Sequence, residues 1–193
     1  MARALLIVDV QPTFCEGGAL GVEGGNAVAE RIADYAQANL DLYDLIVTTQ
    51  DWHIDPGEHF SDNPDFVDTW PPHGVAGTAE AELHKALSRI PLDYSMKKGE
   101  YEAAYSGFEG ACPDGTTLEE VLEDEGIDEV DVVGLALSHC VKETALDAAK
   151  LDSIDQVRVF LDLTEPTSPE LGEKAIEEMS QTRIELTNAL PSK

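Results

Sequence analysis

The clearest pattern in the chain lies at residues 130–151 and reads VDVVGLALSHCVKETALDAAKL. Its first part, residues 130–137, is apolar on both faces and has the length of a β-strand. Its last part, residues 141–151, has apolar side chains at helical spacing. A buried strand that runs directly into a helix is typical of folds in which strands and helices alternate.

The same alternation continues on both sides of this segment. Further buried strands are predicted at residues 5–10, 45–49 and 157–163, with weaker candidates at 92–97 and 183–187. Helices are predicted at residues 27–38, 79–87, 118–125 and 169–180. Because such alternation implies right-handed crossovers that cover both faces of a sheet, the predicted fold class is α/β. We expect a three-layer sandwich with a mostly parallel sheet of about six strands.

Length and composition limit the class of protein. A chain of 193 residues is long enough for one domain with a substantial core, so we expect a single domain over residues 1–193. The net charge of −27 would repel nucleic acids and anionic membranes. No apolar run approaches the roughly 20 residues that a membrane helix needs. These features predict a soluble cytoplasmic protein with no nucleic-acid or membrane partner.

The three cysteines, Cys15, Cys112 and Cys140, are widely spaced and form no CxxC pair. Neither a disulfide scaffold nor a thiolate zinc cluster is therefore indicated, which fits a reducing compartment. Cys140 follows one predicted strand and opens the next predicted helix, where the partial positive charge of the helix favours a thiolate nucleophile. A buried packing cysteine explains this segment alone equally well.

A carboxylate and an ammonium group are expected near that thiol. Asp9 lies in an apolar predicted strand, where an ionised carboxylate needs a partner. Lys98 follows another predicted strand and is a suitable partner, because the carboxyl ends of parallel strands meet at one crevice. The alternatives are a structural aspartate that caps a loop and a solvated lysine, and the adjacent Lys97 leaves the choice of lysine open.

The long irregular segment after the second strand is rich in metal-ligating side chains. It holds four candidates for one ion, a set that suits zinc, iron or manganese: Asp51, His53, His59 and His73. Histidine clusters in acidic loops also occur without a metal. Aromatic residues in the long loops could form the walls of a slot for a flat ring, or could only pin the loops: Phe14, Trp52, Trp70, Tyr101, Tyr105 and Phe108.

Several of these segments, taken in order, closely resemble the nicotinamidases, a family of isochorismatase-like cysteine hydrolases. The resemblance covers most of the chain and rests on residues 4–11 (ALLIVDVQ), 14–18 (FCEGG), 51–53 (DWH), 70–73 (WPPH), 98–99 (KG), 105–110 (YSGFEG), 134–136 (GLA) and 139–141 (HCV). It implies an isochorismatase-like fold of Rossmann-type topology. It also implies hydrolysis of nicotinamide to nicotinate and ammonia through a cysteine thioester, with pyrazinamide often accepted, as a step of NAD salvage.

The resemblance also assigns roles to individual positions. The catalytic residues would be Asp9, Lys98 and Cys140, and the ligands of a divalent ion, zinc before iron or manganese, would be Asp51, His53, His59 and His73. The oxyanion hole would be formed by the amides of Ala136 and Cys140, and Leu135–Ala136 would match the family's cis peptide. The pocket for the ring would be lined by Phe14, Trp70 and Tyr105.

The chain departs from the family at residues 137–138, where Leu-Ser replaces the usual Thr-Asp or a close variant. This departure bears on the rate and the range of substrates more than on the class of reaction. The alternative function is an amidase of the same superfamily that acts on another carboxamide, carbamoyl or ureido substrate. An isochorismatase is disfavoured because those enzymes generally lack the nucleophilic cysteine. An acidic metal-binding or interaction module is the alternative from a different class, and association into a homo-oligomer is left open.

Overall fold

The computed structural model describes residues 1–189, so that residues 190–193, the last four of the predicted domain, lie outside the described part. Six strands form one sheet, in the order β3-β2-β1-β4-β5-β6, and all pairings between named strands are parallel. The strands are β1 (Arg3–Val8), β2 (Leu45–Asp51), β3 (Tyr94–Lys98), β4 (Glu129–Leu135), β5 (Gln156–Glu165) and β6 (Glu185–Thr187). The predicted α/β class and six-stranded sheet are confirmed.

In the described part of the chain, four α-helices cover the two faces of the sheet: α1 (Gly25–Ala38), α2 (Leu118–Asp124), α3 (Lys142–Ala148) and α4 (Pro169–Ser180). Alternate residues of β1 point to opposite faces, so Leu5 and Ile7 pack with α1 while Leu6 and Val8 pack with the other three helices. This gives the predicted three layers. Within residues 1–189, every helix is too short or too polar to cross a membrane.

The helix predicted at residues 79–87 is wrong. The segment forms turns and a short 3-10 helix at Lys85–Arg89. Its backbone carbonyls bond to distant parts of the chain, because Glu80 accepts from the amide of Thr13 and Ala81 accepts from the side chains of Gln11 and Gln50. A carbonyl used in this way is diverted from the i→i+4 ladder of an α-helix.

The central strands end earlier than predicted. β1 stops at Val8, which leaves Asp9 just beyond the strand with a positive φ of 47°, and β4 stops at Leu135. The Leu135–Ala136 peptide is cis, as the resemblance implied. Gly134 lies opposite Val8 with φ +122°, and a Cβ there would be 2.1 Å from the Val8 carbonyl oxygen. This close approach, which only glycine permits, brings Asp9 beside the segment that carries Cys140.

Candidate active site

Three sequence-predicted residues meet beyond the carboxyl ends of the central strands. The Lys98 Nζ atom lies 2.9 Å from Asp9 Oδ2 and 3.8 Å from Cys140 Sγ, and it also pairs with the other carboxylate, Asp51. The Lys98 side chain has almost no contact with solvent, being 1% exposed. Its neighbour Lys97 points elsewhere, over the ring of Trp52. The structure therefore distinguishes the two lysines by the side of the strand that each occupies.

The charges of this group follow from its burial. Burial opposes the Lys98 charge, but Asp51 and Asp9 outweigh it and raise the pKa of Lys98 well above the ordinary value. Burial likewise opposes the charge on Asp51, yet Lys98 and two histidines hold its pKa well below the ordinary value. For Asp9, burial outweighs the attraction of Lys98 and raises the pKa. Lys98 is thus a cation, and Asp9 is a stronger base than an ordinary aspartate.

Cys140 differs from the prediction in its charge state. Burial raises the pKa of its thiol well above the ordinary value, despite the nearby Lys98 ammonium. Burial thus opposes the thiolate that the helix end favours, and the sequence shows the helix that follows but not the depth of burial. Cys140 lies in a π-helical turn at Leu137–Val141, immediately before α3. Its thiol is protonated at rest and hydrogen-bonds with the Asp9 carboxylate, which can take the proton.

Three histidines form a cluster beside this group. One ring nitrogen from each of His53, His59 and His73 lies within 4.8 Å of the other two. Two of the rings are oriented by backbone carbonyls, since His53 Nδ1 bonds to Gly99 O at 2.6 Å and His73 Nδ1 bonds to Pro71 O at 2.8 Å. With Nδ1 as donor in both, the Nε2 lone pairs of His53 and His73 face each other at 3.3 Å.

The cluster fits a divalent metal ion. Asp51 Oδ2 lies 3.4 Å from His53 Nε2 and 3.5 Å from His73 Nε2, so one carboxylate oxygen and two imidazole nitrogens crowd around one point. His59 Nδ1 is buried and has no hydrogen-bond partner in the described chain, while burial and the other two histidines lower the pKa of His59 to about 4. Neutral imidazoles and a carboxylate that face one point are the ligands of zinc and similar transition metals.

Asp51 belongs to both groups, because its second carboxylate oxygen, Oδ1, pairs with Lys98. The predicted ligand set is thus brought together, and one of its members also touches the candidate catalytic lysine. The metal cluster and the catalytic group share one wall of the site.

Both groups border one small cavity of about 280 Å³, the catalytic group through Cys140 and the metal cluster through Asp51, His59 and His73. The walls are formed by Phe14, Ala19, Leu20, Gly21, Val22, Asp51, His59, Trp70, His73, Ala104, Tyr105, Ala136, His139, Cys140 and Thr167. All three residues expected in the ring pocket line it, and Trp70 Nε1 donates to the Tyr105 hydroxyl at 3.1 Å. Ala136 lies on the same wall as Cys140, so both residues expected to form the oxyanion hole border the cavity.

Other aromatic candidates lie elsewhere. Trp52 and Tyr101 line a separate cavity, and Phe108 packs on the hydrophobic core. Sequence reasoning missed His139 and Thr167 as wall residues. The position of His139 next to Cys140 is a signal that could have found it, whereas Thr167 reaches the cavity from the connection between β5 and α4, which only the topology shows.

Comparison with known proteins agrees with this architecture. Residues 3–189 match the family described as the Isochorismatase domain. The chain is 48% identical over 184 residues to a nicotinamidase/pyrazinamidase of Mycobacterium tuberculosis, which covers 95% of this chain and 97% of that protein.

Two solved structures show the same fold. One is a pyrazinamidase of Pyrococcus horikoshii in complex with zinc, with a TM-score of 0.80 and 33% identity over 97% of this chain and 99% of that chain. The other is the PnC1 protein of L. infantum in complex with nicotinate, with a TM-score of 0.82 and 30% identity over 100% of this chain and 96% of that chain.

Proposed function

This chain belongs to the isochorismatase domain family, and on that premise we propose that it is a nicotinamidase, which hydrolyses nicotinamide to nicotinate and ammonia. The observation that carries the proposal is a small cavity bordered by the Cys140 thiol and by two members of a three-histidine cluster, with a buried carboxylate–ammonium pair directly behind the thiol. The proposal extends to pyrazinamide as a second substrate. It treats residues 1–193 as one cytoplasmic domain that serves NAD salvage.

Catalysis begins with proton transfer from Cys140 to Asp9. As the sulfur attacks the carboxamide carbon, Asp9 takes the thiol proton, and the amides of Ala136 and Cys140 stabilise the negative charge on the carbonyl oxygen. The protonated Asp9 then gives its proton to the departing nitrogen, which leaves as ammonia. A thioester remains on Cys140.

The second half of the reaction hydrolyses that thioester. Asp9, now ionised again, takes one proton from a water molecule as the water oxygen attacks the thioester carbon, and returns that proton to the departing Cys140 sulfur; the released nicotinic acid gives its own proton to solvent and becomes nicotinate. Lys98 stabilises the ionised form of Asp9 and the sulfur anion as charge moves between them. Because all three side chains are buried, these charge interactions are weakly screened by solvent.

The proposed orientation of the substrate depends on the aromatic residues and the metal-ligating residues that line the cavity. Phe14, Trp70 and Tyr105 hold the flat ring by apolar contact. A divalent ion, zinc before iron or manganese, would be held by Asp51, His53, His59 and His73 and would supply an electrophilic anchor for the ring nitrogen. The chain's own contribution is to fix the carboxamide at the Cys140 thiol, which lowers the entropic cost of attack.

Ammonia release from nicotinamide tests the function directly. The purified protein, loaded in turn with zinc, iron and manganese, should release ammonia and nicotinate in equal amounts, and pyrazinamide should be hydrolysed in the same assay. Residues 137–138 are Leu-Ser in this chain, where nicotinamidases usually have Thr-Asp, so the range of substrates has to be tested as well. Other amides are therefore assayed as alternative substrates. Release from carbamoyl or ureido compounds, with none from nicotinamide, would overturn the assignment in favour of that alternative.

Loss of one imidazole should separate metal binding from the thiol chemistry. We expect His59→Ala to lower metal affinity at least about tenfold and to raise KM for nicotinamide, because the remaining ligands hold the ion less firmly. Metal content after dialysis, measured by mass spectrometry, checks the first effect. His84→Ala is the matched control, since His84 is also buried but bonds to Asn26 away from the cluster. Equal metal content in the two variants would exclude His59 as a ligand.

A further inference from the structure

Ser138 joins two walls of the cavity through a single hydroxyl group. Its Oγ atom lies 2.9 Å from His139 Nδ1 and 3.0 Å from Thr167 Oγ1, and it accepts from the Thr167 backbone N–H at 3.1 Å. The Ser138 side chain is buried, whereas His139 and Thr167 both line the cavity. This is one of the two positions at which the chain departs from the usual Thr-Asp of nicotinamidases.

The contacts define how protons are arranged around this hydroxyl. Because the Thr167 amide occupies one lone pair of Ser138 Oγ, the one hydroxyl proton goes either to Thr167 Oγ1 or to His139 Nδ1. In either case Ser138 decides which nitrogen of a neutral His139 carries the proton. It also ties the start of the β5–α4 connection to the turn that holds Cys140.

His139 in turn forms part of the ring pocket. Its imidazole meets the Trp70 ring edge-on, with ring centroids 5.6 Å apart, and Trp70 donates a hydrogen bond to Tyr105, which also lines the cavity. A shift in the His139 ring would therefore move Trp70 and change the width of the slot. Cys140 is fixed separately, since its carbonyl accepts from the Thr144 hydroxyl at 2.7 Å.

We propose that Ser138 is a positioning residue that sets the tautomer and orientation of His139 and thereby determines how tightly the pocket holds the aromatic amide. The inference rests on the proposed function, because the aromatic amide is the proposed substrate. Ser138 acts through His139 and Thr167 and leaves the proton transfers of Asp9 and Cys140 unaffected. Substrate binding, measured by KM, is therefore the quantity that it controls.

A hydroxyl group at this position also keeps the wall uncharged. Burial and the charge of Lys142 lower the pKa of His139, against the opposing attraction of Glu143. A carboxylate in place of the hydroxyl would accept a proton from His139 Nδ1 and favour the imidazolium form. The Ser138→Asp variant should therefore show a KM for nicotinamide that changes with pH as His139 titrates, whereas the KM of the unaltered protein should not follow that titration.

The central experiment compares Ser138→Ala, Ser138→Thr and the unaltered protein. We expect Ser138→Ala to raise KM for nicotinamide by about three- to tenfold, the loss of roughly one hydrogen bond, with kcat within about twofold. Ser138→Thr, which keeps the hydroxyl, should restore most of the affinity. Ser180→Ala is the matched control, because Ser180 has a single hydroxyl contact within α4, to the Glu177 carbonyl. A fall in kcat with unchanged KM would overturn the inference.

The effect of Ser138 on the His139 tautomer can also be measured by NMR spectroscopy, without any enzymatic turnover. The chain has five histidines, so the imidazole ¹⁵N signals of His139 can be assigned by comparison with His139→Gln. One neutral tautomer is expected in the unaltered protein, and a mixture of two in Ser138→Ala. If the protein releases no ammonia, the proposed function fails while this test still decides the role of Ser138. Identical His139 signals in the two proteins would exclude that role.

Discussion

Replacement of Cys140 by alanine is expected to abolish ammonia release from nicotinamide without loss of the fold. The thiol is the proposed nucleophile, and alanine cannot form the thioester that divides the reaction into two steps. Cys140 is 7% exposed and packs in the hydrophobic core, and removal of one sulfur atom leaves only a small cavity there. Activity should therefore fall to background, while metal content and the thermal unfolding midpoint change little.

The other two cysteines provide matched controls. Cys15 is buried, with a pKa raised to about 11 by burial and Glu16, and Cys112 lies against Met96; neither lines the proposed active-site cavity. Cys15→Ala and Cys112→Ala should keep most of the activity. Rapid quenching of the unaltered protein with substrate should give an acyl adduct on Cys140, detected by mass spectrometry. Measurable turnover by Cys140→Ala would contradict covalent catalysis at this position.

The sequence was most informative about the candidate catalytic residues, because they lie at the carboxyl ends of predicted parallel strands. Asp9, Lys98 and Cys140 could be placed together because parallel strands open at one edge, and the resemblance selected the same residues. The charge of Cys140 could not be predicted in the same way. It depends on how deeply the side chain is buried among elements distant in sequence, and that burial outweighs the attraction of Lys98.

Local pattern also failed where distant groups compete for the backbone. The apolar spacing at residues 79–87 is helical, but the Ala81 carbonyl there accepts from the side chains of Gln11, in the loop after β1, and Gln50, in β2. Thr167 reaches the cavity for a similar reason, because its partner Ser138 lies 29 positions away. Such contacts depend on the order in which the strands and loops are arranged in space. The sequence patterns predict the fold class but not which distant residues this arrangement brings together.

The second large effect is expected from Lys98→Met. Lys98 is the cation shared by two buried carboxylates, Asp9 and Asp51, and its removal would leave both carboxylates without this partner in the protein interior. Loss of one member of a buried ion pair typically costs about 3–5 kcal/mol, so the free energy of unfolding should fall by that amount. Ammonia release should also be lost, because the ionised form of Asp9 and the sulfur anion would no longer be stabilised.

Two companion variants separate these consequences. Lys97→Met changes the adjacent residue of the same strand, which lies over Trp52, and should lower the free energy of unfolding by no more than about 1 kcal/mol with activity retained. Asp9→Asn removes the proposed base while the Lys98–Asp51 pair remains, and should lower kcat by about 10²–10⁴ with a smaller loss of stability. Urea unfolding measures the free energy of unfolding of each variant, and ammonia release from nicotinamide measures its kcat. If Lys98→Met were as stable and active as Lys97→Met, the buried ammonium could not be what holds the charged site together.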